Sequence, residues 1–429
     1  MNKKVAVLTT SYPRGLKDKL PGNKVHGPFV HEPNVFLKEK GYDFTVLAPH
    51  DRNHTRGNEQ IDGIEIHRFN YFWPFKNQKV AYGDGIPTNL KQILALFQLP
   101  FFIIFFLIYT LKIGRKCDFY HAHWGITGFI AVIASFFIKK PIVLSVYGAD
   151  ILTASGRRMN QFTLNRVNHV IFNSNFTKES TEKIYSFSCP RTVVYASARF
   201  KDIINSSNFE KINYEEIANW TGDYTVVMTL GRFINRMGFE YLINALPKIR
   251  NNVKIVIGGE GIERKNLEDT IRSLNLEKEI HLPGRIPEEK MVPYFSSCDI
   301  FVYPQIIDNE GDVAGLGLVL IEAMLLDKPV IGTQVGGIQD IIEDGRTGLF
   351  VPQRDSAKLA EAIDYLIDNP KKNQFPTPID SSNRDNCIIG RIRKDYSKNN
   401  SIWAWIVGDQ IRKGAALNAI QIAELLVRK

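Results

Sequence analysis

Cysteine is scarce in this chain of 429 residues, and the four present (Cys117, Cys189, Cys298 and Cys387) form no Cys-x-x-Cys pair. This spacing disfavours a disulfide framework and a cysteine-ligated zinc site. A recognition motif for nucleic acid is also absent. The N-terminal stretch MNKKVAVLTTSY has too short an apolar run for a signal peptide, so a cytoplasmic location is expected.

Positive charge is unevenly distributed along the chain. Residues 1–200 hold 26 Lys and Arg against 13 Asp and Glu, whereas the remainder is slightly acidic and the whole chain carries +9. A basic front half is typical of proteins that bind an anionic partner, such as a phosphorylated lipid or a membrane surface. The sequence therefore predicts a partner of that kind and no nucleic acid.

One apolar run, ILALFQLPFFIIFFLIYTL (93–111), approaches the length needed to span a bilayer. Strand-like runs lie before it (44–50 and 64–69) and after it (119–123). If these strands share one sheet, the run must return to its starting side, which favours a buried helix or one lying in the membrane interface over a spanning helix. Three basic residues that suit anionic headgroups follow it: Lys112, Arg115 and Lys116. A peripheral position at the inner face of the membrane is therefore expected.

Short β-branched runs alternate with helical stretches, in two series. The first series includes runs that are predicted to be buried parallel strands, at 4–10, 142–147, 169–174 and 192–196. This alternation predicts the α/β class, with two doubly wound, Rossmann-like domains facing across a cleft. The polar stretch 201–222 divides the two series and is the predicted linker. It separates an N-terminal domain (1–200) from a C-terminal domain (223–370), and an atypical tail (371–429) follows.

The stretch GLGLVLIEAM follows a strand and opens a helix. Gly315 and Gly317 let backbone approach a ligand closely, and the free amides of a helix N-terminus suit a diphosphate. Eight helical residues ending at Glu322 would span about 12 Å, so acidic groups at the two ends would bind different parts of one elongated ligand. Taken alone, Gly-x-Gly fits equally well a small turn that packs a helix on a sheet.

Two arginines favour a ligand at this place. Arg232 lies just beyond a strand and Arg236 just before a helix. Fixed cations here would stabilise the negative charge that grows on a departing nucleotide diphosphate, although most loop arginines are simply solvated. The run GGEGIERKNL, which contains Gly261, is another glycine turn that opens a helix.

Polar side chains also lie at two strand ends in the front half. YHAHWG ends one strand with His121 and His123, and VYGAD ends another with Tyr147 and Asp150. Catalytic groups of such folds lie at strand ends, but a lone histidine is more often structural. Asp150 either accepts a hydrogen bond from a substrate hydroxyl or caps the following helix.

Together these motifs resemble family 4 of the retaining glycosyltransferases, which have the GT-B fold. The likeness covers about residues 3–370 and runs in order through HGPFVHEPNVFLKEKGYDFTVLAP, YHAHWG, VYGAD, GRFINRMG, GGEG, PGRIPEEKMVPYFSSCDIFVYP and GLGLVLIEAM. That family transfers a sugar from a nucleotide diphosphate donor with retention and without an essential metal. The resemblance therefore implies a nucleotide-sugar co-substrate, no cofactor and no metal, and the sequence has no Asp-x-Asp metal motif.

The resemblance also implies roles for single residues. Arg232 would hold the diphosphate and Glu322 the ribose, while the backbone near Ile286 would meet the base and the amides of Leu318 and Val319 the phosphates. The basic front domain would receive the acceptor, which in this family is often a lipid-linked or surface-polysaccharide intermediate. The remaining candidates are Arg236 and His123 as catalytic groups, Gly261, Gly315 and Gly317 on the donor side, and Gly27, His121, Tyr147 and Asp150 on the acceptor side.

Three positions depart from the family pattern. Ala314 stands where a glutamate usually contacts the donor sugar. Met237 replaces a usual lysine, for which the adjacent Arg236 can substitute, and Tyr147 replaces a usual histidine. Losing a catalytic charge contact typically costs about 2–4 kcal/mol, a factor of about 10² or more in rate. Glu310 lies in the same loop as Ala314, but nothing in the sequence places it near the sugar.

The tail resembles a different family. PTPID, GRIRKD and RKGAALNAIQIAELL are similar to the C-terminal end of aspartate-semialdehyde dehydrogenases, over about residues 374–429, where the turn Gly414 to Asn418 helps bind NADP. The nucleophilic cysteine, the general base and the cofactor domain of those enzymes have no counterpart here. The chain is interpreted as a transferase interrupted near residue 370, with a polar stretch (370–401) that shows no strand–helix alternation and an amphipathic helix at 412–426.

The sequence thus predicts a glycosyltransferase that moves a sugar from a nucleotide-diphosphate donor to a lipid-linked or polysaccharide acceptor, in cell-surface polysaccharide assembly. The order and number of the motifs favour this reading. The alternative is a catalytically impaired remnant that binds nucleotide or membrane without turnover, which Ala314 and the foreign tail favour.

Overall fold

The computed structural model describes residues 3–14, 27–51, 57–82, 86–152, 154, 156–195, 220, 222–308, 311, 313, 315–369, 388–394 and 402–407. These residues fall into two compact units, which run from 3 to 195 and from 220 to 407. Nearly all of the predicted linker at 201–222, and the whole predicted helix at 412–426, lie outside the described residues.

The first unit is built on a predominantly parallel sheet. Its described strands are β1 (Lys4–Leu8), β2 (Asp43–Pro49), β3 (Asn58–Ile61), β4 (Ile64–Phe69), β5 (Phe119–His123), β6 (Ile142–Val146), β7 (His169–Phe172) and β8 (Arg191–Val193). Their order is β3-β4-β2-β1-β5-β6-β7-β8, with β3 antiparallel at the edge. Strands β5, β6 and β7 are buried throughout, as expected of parallel strands covered on both faces.

The predicted strands of this unit are confirmed, and their carboxyl ends explain the small differences in length. Each of the runs predicted at 4–10, 142–147, 169–174 and 192–196 ends one to three residues early. The residues beyond these strands lie at the carboxyl ends of the sheet. Because ligands bind at these ends in parallel sheets, the residues that leave the ladder are the candidates for chemistry.

Helices cover this sheet and include the long apolar run. The described helices are α1 (Pro28–Glu39), α2 (Ile86–Asn89), α3 (Ile93–Gly114), α4 (Gly125–Ser135), α5 (Ala149–Leu152), α6 (Arg157–Leu164) and α7 (Asn175–Ile184). Helix α3 connects β4 to β5, two strands of the same sheet. Its Phe102 and Phe106 rings lie 5.7 and 4.6 Å from the ring of Phe69 on β4. The run 93–111 is thus a crossover helix packed on the sheet, as its flanking strands predicted.

The second unit contains a wholly parallel sheet. Its described strands are β9 (Thr225–Leu230), β10 (Val253–Gly258), β11 (Ile280–Gly284), β12 (Ile300–Tyr303), β13 (Val330–Thr333) and β14 (Leu349–Val351). Its longer described helices are α8 (Phe239–Ala245), α9 (Arg264–Ser273), α10 (Glu288–Ser296), α11 (Leu318–Leu325) and α12 (Ser356–Asp368). The order β11-β10-β9-β12-β13-β14 is the Rossmann order 3-2-1-4-5-6.

In both sheets the strand order reverses beside the first strand. In the second unit the reversal lies between β9 and β12, and in the first unit it lies between β1 and β5. Open parallel sheets bind ligands outside the carboxyl ends of the strands at such reversal points. The residues that follow β1, β5, β9 and β12 are therefore the candidates for ligand binding.

The described part of the tail forms a small separate sheet. Strands β15 (Ile388–Lys394) and β16 (Ile402–Val407) pair antiparallel. The stretch 370–401, interpreted as lacking strand–helix alternation, therefore contains a strand. Its polar overall composition concealed the short run IIGRIRK, whose isoleucines favour a strand.

Candidate active site

The loops that follow β9 and β12 are packed together in the second unit. Arg232 follows β9, and a short 3₁₀ turn leads on to Gly238. The backbone of Gly238 is left-handed (φ 65°), and a Cβ there would lie 2.0 Å from the carbonyl oxygen of Pro304, so only glycine fits. The N–H of Ile306 donates to the carbonyl of Arg236 over 2.9 Å. The two loops are therefore held backbone against backbone.

Tyr303, the last residue of β12, lies among three of the predicted charged residues. Burial raises the pKa of Tyr303 to about 12; the positive charges of Arg236 and Arg232 oppose the rise, and the negative charge of Glu322 adds to it. All three charges act on one phenol, so the structure brings them together. Glu322 is fully buried, whereas Arg232 is exposed. The cluster thus presents one guanidinium to a ligand and keeps its carboxylate away from solvent.

The glycines of GLGLVLIEAM place the start of α11 against β12. A Cβ at Gly317 would lie 2.9 Å from the Tyr303 ring, and a Cβ at Gly337 would lie 2.0 Å from the carbonyl oxygen of Gly315. Helix α11 begins only at Leu318, so the sequence-based picture of eight helical residues before Glu322 is wrong. Four helical steps, about 6 Å, separate Leu318 from Glu322.

The free amides at the start of α11 belong to the residues after Gly317. Leu318 and Val319 form its first turn and are half-buried. Their backbone N–H groups lie at the N-terminus of a helix, where they can meet an anion. Ala314 and Glu310 lie outside the described residues.

The glycine turn after β10 packs on the Arg232 loop. Gly261 has φ 158°, and a Cβ there would lie 2.3 Å from the carbonyl oxygen of Phe233. Ile286 follows β11, and a Cβ at Gly258 would lie 2.6 Å from its Cδ1 atom. The side chain of Ile286 is buried, so its backbone is the part that a base could contact. Gly261 and Ile286 thus border the same end of the sheet as Arg232.

In the first unit, the candidates gather where the strand order reverses between β1 and β5. Gly27 precedes α1 with a left-handed backbone (φ 62°), and a Cβ there would lie 2.6 Å from the carbonyl oxygen of Ser11, just beyond β1. Phe29 in the first turn of α1 makes edge contacts with the rings of Trp124 and Tyr147. Gly27 therefore holds the start of α1 beside the ends of β5 and β6.

His121 and His123 belong to one buried chain of hydrogen bonds. The Nε2 atom of His121 lies 2.9 Å from Ser145 Oγ, Ser145 hydrogen-bonds to Tyr147, and the Tyr147 hydroxyl lies 2.6 Å from Nδ1 of His123. Burial lowers the pKa of His121 to about 4 and that of His123 well below its usual value. Both imidazoles are therefore neutral at pH 7, and the hydroxyl of Tyr147 is the partner of His123 Nδ1.

Three buried polar atoms face a small cavity at this place. The cavity, of about 50 Å³, is bordered by His123, Asn34 and Asn173. His123 Nε2, Asn34 Nδ2 and Asn173 Oδ1 are buried, and none has a hydrogen-bond partner. A water needs only about 10–15 Å³ of such space. The cavity can therefore hold a water or a hydroxyl group that satisfies these atoms.

The sequence did not point to Asn34, Asn173 or Trp124. Asn173 directly follows β7, and that position at a strand end was the available signal. Trp124 directly follows β5 and has a left-handed backbone (φ 76°), which is rare for a bulky residue. No pattern in the sequence predicts this conformation. Asn34 lies inside α1, and only the folded structure shows it beside His123.

We expect Tyr147→Phe to disrupt this chain. The variant removes the hydroxyl that joins Ser145 to His123, so the free energy of unfolding should fall by about 1–2 kcal/mol. The tautomer of His123 should change as well, since its Nδ1 loses its partner. Urea unfolding and long-range ¹H–¹⁵N spectra of the histidine rings measure the two effects. Tyr224→Phe, at an exposed tyrosine of the second unit, is the control, and unchanged histidine spectra in Tyr147→Phe would contradict the expectation.

Asp150 is engaged by backbone amides. Its Oδ2 accepts from the N–H of Gly125 over 3.1 Å, and its Oδ1 accepts from the N–H of Tyr147 over 3.0 Å. Gly125 is the first residue of α4, so the carboxylate caps that preceding helix. The adjacency of β5 and β6 explains this, because it brings the ends of both strands together.

Asp150→Asn should change how stability depends on pH. Burial raises the pKa of Asp150 to about 6, although hydrogen bonds from backbone amides partly oppose the rise. A raised carboxyl pKa means that ionisation costs the folded state free energy. The contribution of the Asp150 carboxyl to the free energy of unfolding is therefore fully present below about pH 4. Up to about 3 kcal/mol of it is lost as the pH rises through 6. Urea unfolding at pH 4.5 and 7.5 should show a smaller decline in Asp150→Asn, and parallel profiles would contradict this.

Within the described ranges, no three His, Cys, Asp or Glu side chains gather in an arrangement that could hold a metal ion. The candidates that the structure does bring together are charged, amide and imidazole groups at two strand reversals. They suit anion binding in the second unit and hydroxyl binding in the first.

Comparison with known families agrees with this fold. The family described as Glycosyltransferase Family 4 matches residues 30–196, and that described as Glycosyl transferases group 1 matches residues 210–376. The crystal structure of Anabaena HepE in complex with UDP and glucose is similar with a TM-score of 0.64 at 20% identity, over 87% of this chain and 92% of that one. The α/β, GT-B fold class is confirmed, and each of the two units contains a segment that matches a glycosyltransferase family.

Individual relatives match to different extents. An uncharacterized glycosyltransferase of Methanocaldococcus jannaschii is 26% identical over 360 residues, which are 79% of this chain and 95% of the relative. A second from the same organism is 30% identical over 158 residues, which cover 34% of this chain. That segment spans 39% of the second relative's length, which is less than half of that protein.

The tail matches a different family, as its motifs predicted. The family described as Semialdehyde dehydrogenase, dimerisation domain, matches residues 355–413. Aspartate-semialdehyde dehydrogenase of Synechocystis is 55% identical over 64 residues, which are 15% of this chain and 19% of that enzyme. The chain therefore joins segments related to glycosyltransferases to a segment related to a dehydrogenase.

Proposed function

We propose that this protein is a retaining glycosyltransferase that moves a sugar from a nucleotide-diphosphate donor to a lipid-linked or polysaccharide acceptor, in cell-surface polysaccharide assembly. The convergence of Arg232, Arg236 and Glu322 on Tyr303 carries the proposal. These charges lie where the strand order reverses between β9 and β12, and nucleotides bind at that point in sheets of this order.

The donor half of the reaction is assigned to the second unit. Arg232 binds the diphosphate, the amides of Leu318 and Val319 assist it, and the backbone of Ile286 meets the base. Loss of the diphosphate places negative charge next to a guanidinium, which lowers the barrier. The complex of the similar HepE structure with UDP and glucose supports a nucleotide-sugar donor.

Retention follows from a front-face step. The bond from the anomeric carbon to the diphosphate oxygen breaks, the acceptor oxygen bonds to the same face, and its proton passes to the departing phosphate.

The acceptor half is assigned to the first unit. The unpartnered Nε2 of His123 and the amides of Asn34 and Asn173 would bind an acceptor hydroxyl in their cavity. The excess of basic residues in 1–200 suits a phosphorylated, lipid-linked acceptor. We place the protein in the cytoplasm, peripheral at the inner face of the membrane.

A panel of nucleotide-diphosphate sugars tests the proposal. The expected result is release of nucleotide diphosphate from one donor, faster when a lipid extract supplies acceptor, with the donor's anomeric configuration kept in the product, as read by NMR. No turnover of any donor, either by the natural chain or by Ala314→Glu, would sink the proposal. An inverted anomer would refute retention alone.

A second function is favoured by Ala314 and by the dehydrogenase-related tail. The protein would then bind nucleotide or membrane without turnover. Calorimetry with nucleoside diphosphates discriminates between the two functions. Binding without turnover of any donor supports the second, and turnover by the natural chain refutes it.

A further inference from the structure

Helix α3 carries an apolar face that the rest of its unit leaves uncovered. Only 28% of its most apolar 18-residue window is buried, although the mean hydropathy of that window is 2.3. The inner face packs on the sheet through Phe102 and Phe106. The outer face of α3, between 39% and 88% exposed, is formed by Ile93, Phe97, Phe101, Ile104, Phe105 and Ile108.

This face is one continuous stripe. Its members recur at helical spacings of three and four, so they lie along one side of the helix. Exposed apolar patches of this extent mark interaction sites on proteins. By length and composition the helix could cross a bilayer, but β4 before it and β5 after it lie in one sheet, so it stays on that sheet.

Aromatic side chains extend the stripe at its edges. Trp73 is 78% exposed, and the ring of its neighbour Phe72 contacts Phe97 and Phe101, each at 6.4 Å. Exposed aromatic side chains beside an apolar face are typical of membrane–water interfaces.

A second aromatic edge follows α4, which packs against α3. Phe136 is 60% exposed and Phe137 72% exposed. Lys139 and Lys140 come directly after them in the chain. Phenylalanines next to lysines combine an apolar insertion with a contact to anionic headgroups.

Basic residues lie at both ends of the outer face of α3, and the face itself contains no charged residue. No charged residue occurs from 92 to 111, whereas Lys91 precedes this stretch and Lys112, Arg115 and Lys116 follow it, all exposed. A second copy of the chain would bring this basic rim against itself in a symmetric pair, which is unfavourable. Anionic lipid headgroups complement the rim, and acyl chains complement the stripe.

We infer that the outer face of α3, with Trp73, Phe136 and Phe137, inserts into the interface of an anionic bilayer with the helix axis parallel to the membrane plane. The inference deepens the proposed function, on whose membrane-located acceptor it rests, by naming the surface that meets the lipid. The helix acts as an in-plane anchor of the first unit rather than as a span.

Flotation with vesicles tests the inference on the full chain, without any nucleotide sugar. Vesicles of phosphatidylcholine with phosphatidylglycerol should bind the natural protein, and Phe97→Ser with Ile104→Ser should weaken binding by about 10²-fold or more. Lys112→Gln with Lys116→Gln should weaken it by about fivefold per lysine and reduce its salt dependence. Tyr365→Ser, at an exposed aromatic on α12, should bind as the natural chain does.

Three outcomes would overturn the inference. These are failure of the natural chain to float with anionic vesicles, equal binding by the Phe97→Ser, Ile104→Ser variant, and a dimer in sedimentation that this variant abolishes. Circular dichroism shows whether each variant is folded. Vesicle binding without sugar transfer would sink the proposed function alone, whereas transfer to a soluble acceptor without vesicle binding would sink only the anchor.

Discussion

Arg232→Ala should lower the rate constant of sugar transfer by about 10²–10³-fold, the usual cost of removing a group that stabilises developing charge. Arg232 is exposed near Tyr303, the last residue of β12, where we propose that its guanidinium binds the diphosphate. Affinity for nucleoside diphosphate should also fall. Arg232→Lys should recover part of the rate, since it keeps the charge but loses the two-pronged contact. Steady-state kinetics and calorimetry measure both effects.

Arg272→Ala is the matched control for this experiment. Arg272 is an exposed arginine of the same unit, on α9, where it pairs with Asp269 at 2.9 Å. Its removal should leave transfer and nucleotide affinity unchanged. If Arg232→Ala transfers sugar as fast as Arg272→Ala does, the diphosphate is bound elsewhere and the donor half of the proposed site is wrong.

Ala314→Glu should raise the rate constant of transfer by about 10²-fold. The resemblance to family 4 places a glutamate at this position in contact with the donor sugar, and alanine cannot make a charged hydrogen bond there. A restored carboxylate would act chiefly in the transition state, so kcat should rise more than KM changes. Initial rates with the preferred donor measure the gain.

Ala314→Gln separates charge from size in this second experiment. Glutamine adds the same number of heavy atoms without the negative charge, so it should give little of the gain. Equal rates for Ala314→Glu and the natural chain would mean that another carboxylate already serves. Glu310→Gln would then be the test, because a large loss in that variant would identify the substitute.

Much of the fold follows from the order of residues. Strands that are buried on both faces of a parallel sheet are rich in Val, Ile and Leu. The runs KVAVL, IVLSV and TVVMTL have this composition, so they predict such strands. The family resemblance assigns Arg232 and Glu322 to one donor site, and the structure brings both near Tyr303. Their chemical roles stay predictions, as do the predicted domain boundaries.

Other features of the site depend on contacts that sequence does not record. Tyr303 reads as the last residue of a buried strand, and its position among three charges arises from the packing of two loops. Asn34 and Asn173 matter because one buried amide atom of each, Nδ2 of Asn34 and Oδ1 of Asn173, has no hydrogen-bond partner, and partners are known only after folding. The helix expected to reach back to position 314 starts at Leu318 instead, since glycine and a tight contact with β12 delay it.

The donor loops are joined by main-chain contacts at glycines. Gly238 meets Pro304, Gly261 meets Phe233, and Gly337 meets Gly315. None of these contacts involves a charged side chain, so the shape of the pocket does not depend on the charged residues that would act on a ligand. Replacement of a glutamate by alanine would leave these backbone contacts in place, whereas replacement of one of these glycines would disrupt the packing of the loops. A chain of this kind can therefore lose a catalytic side chain and still keep the shape of the pocket that would bind the donor.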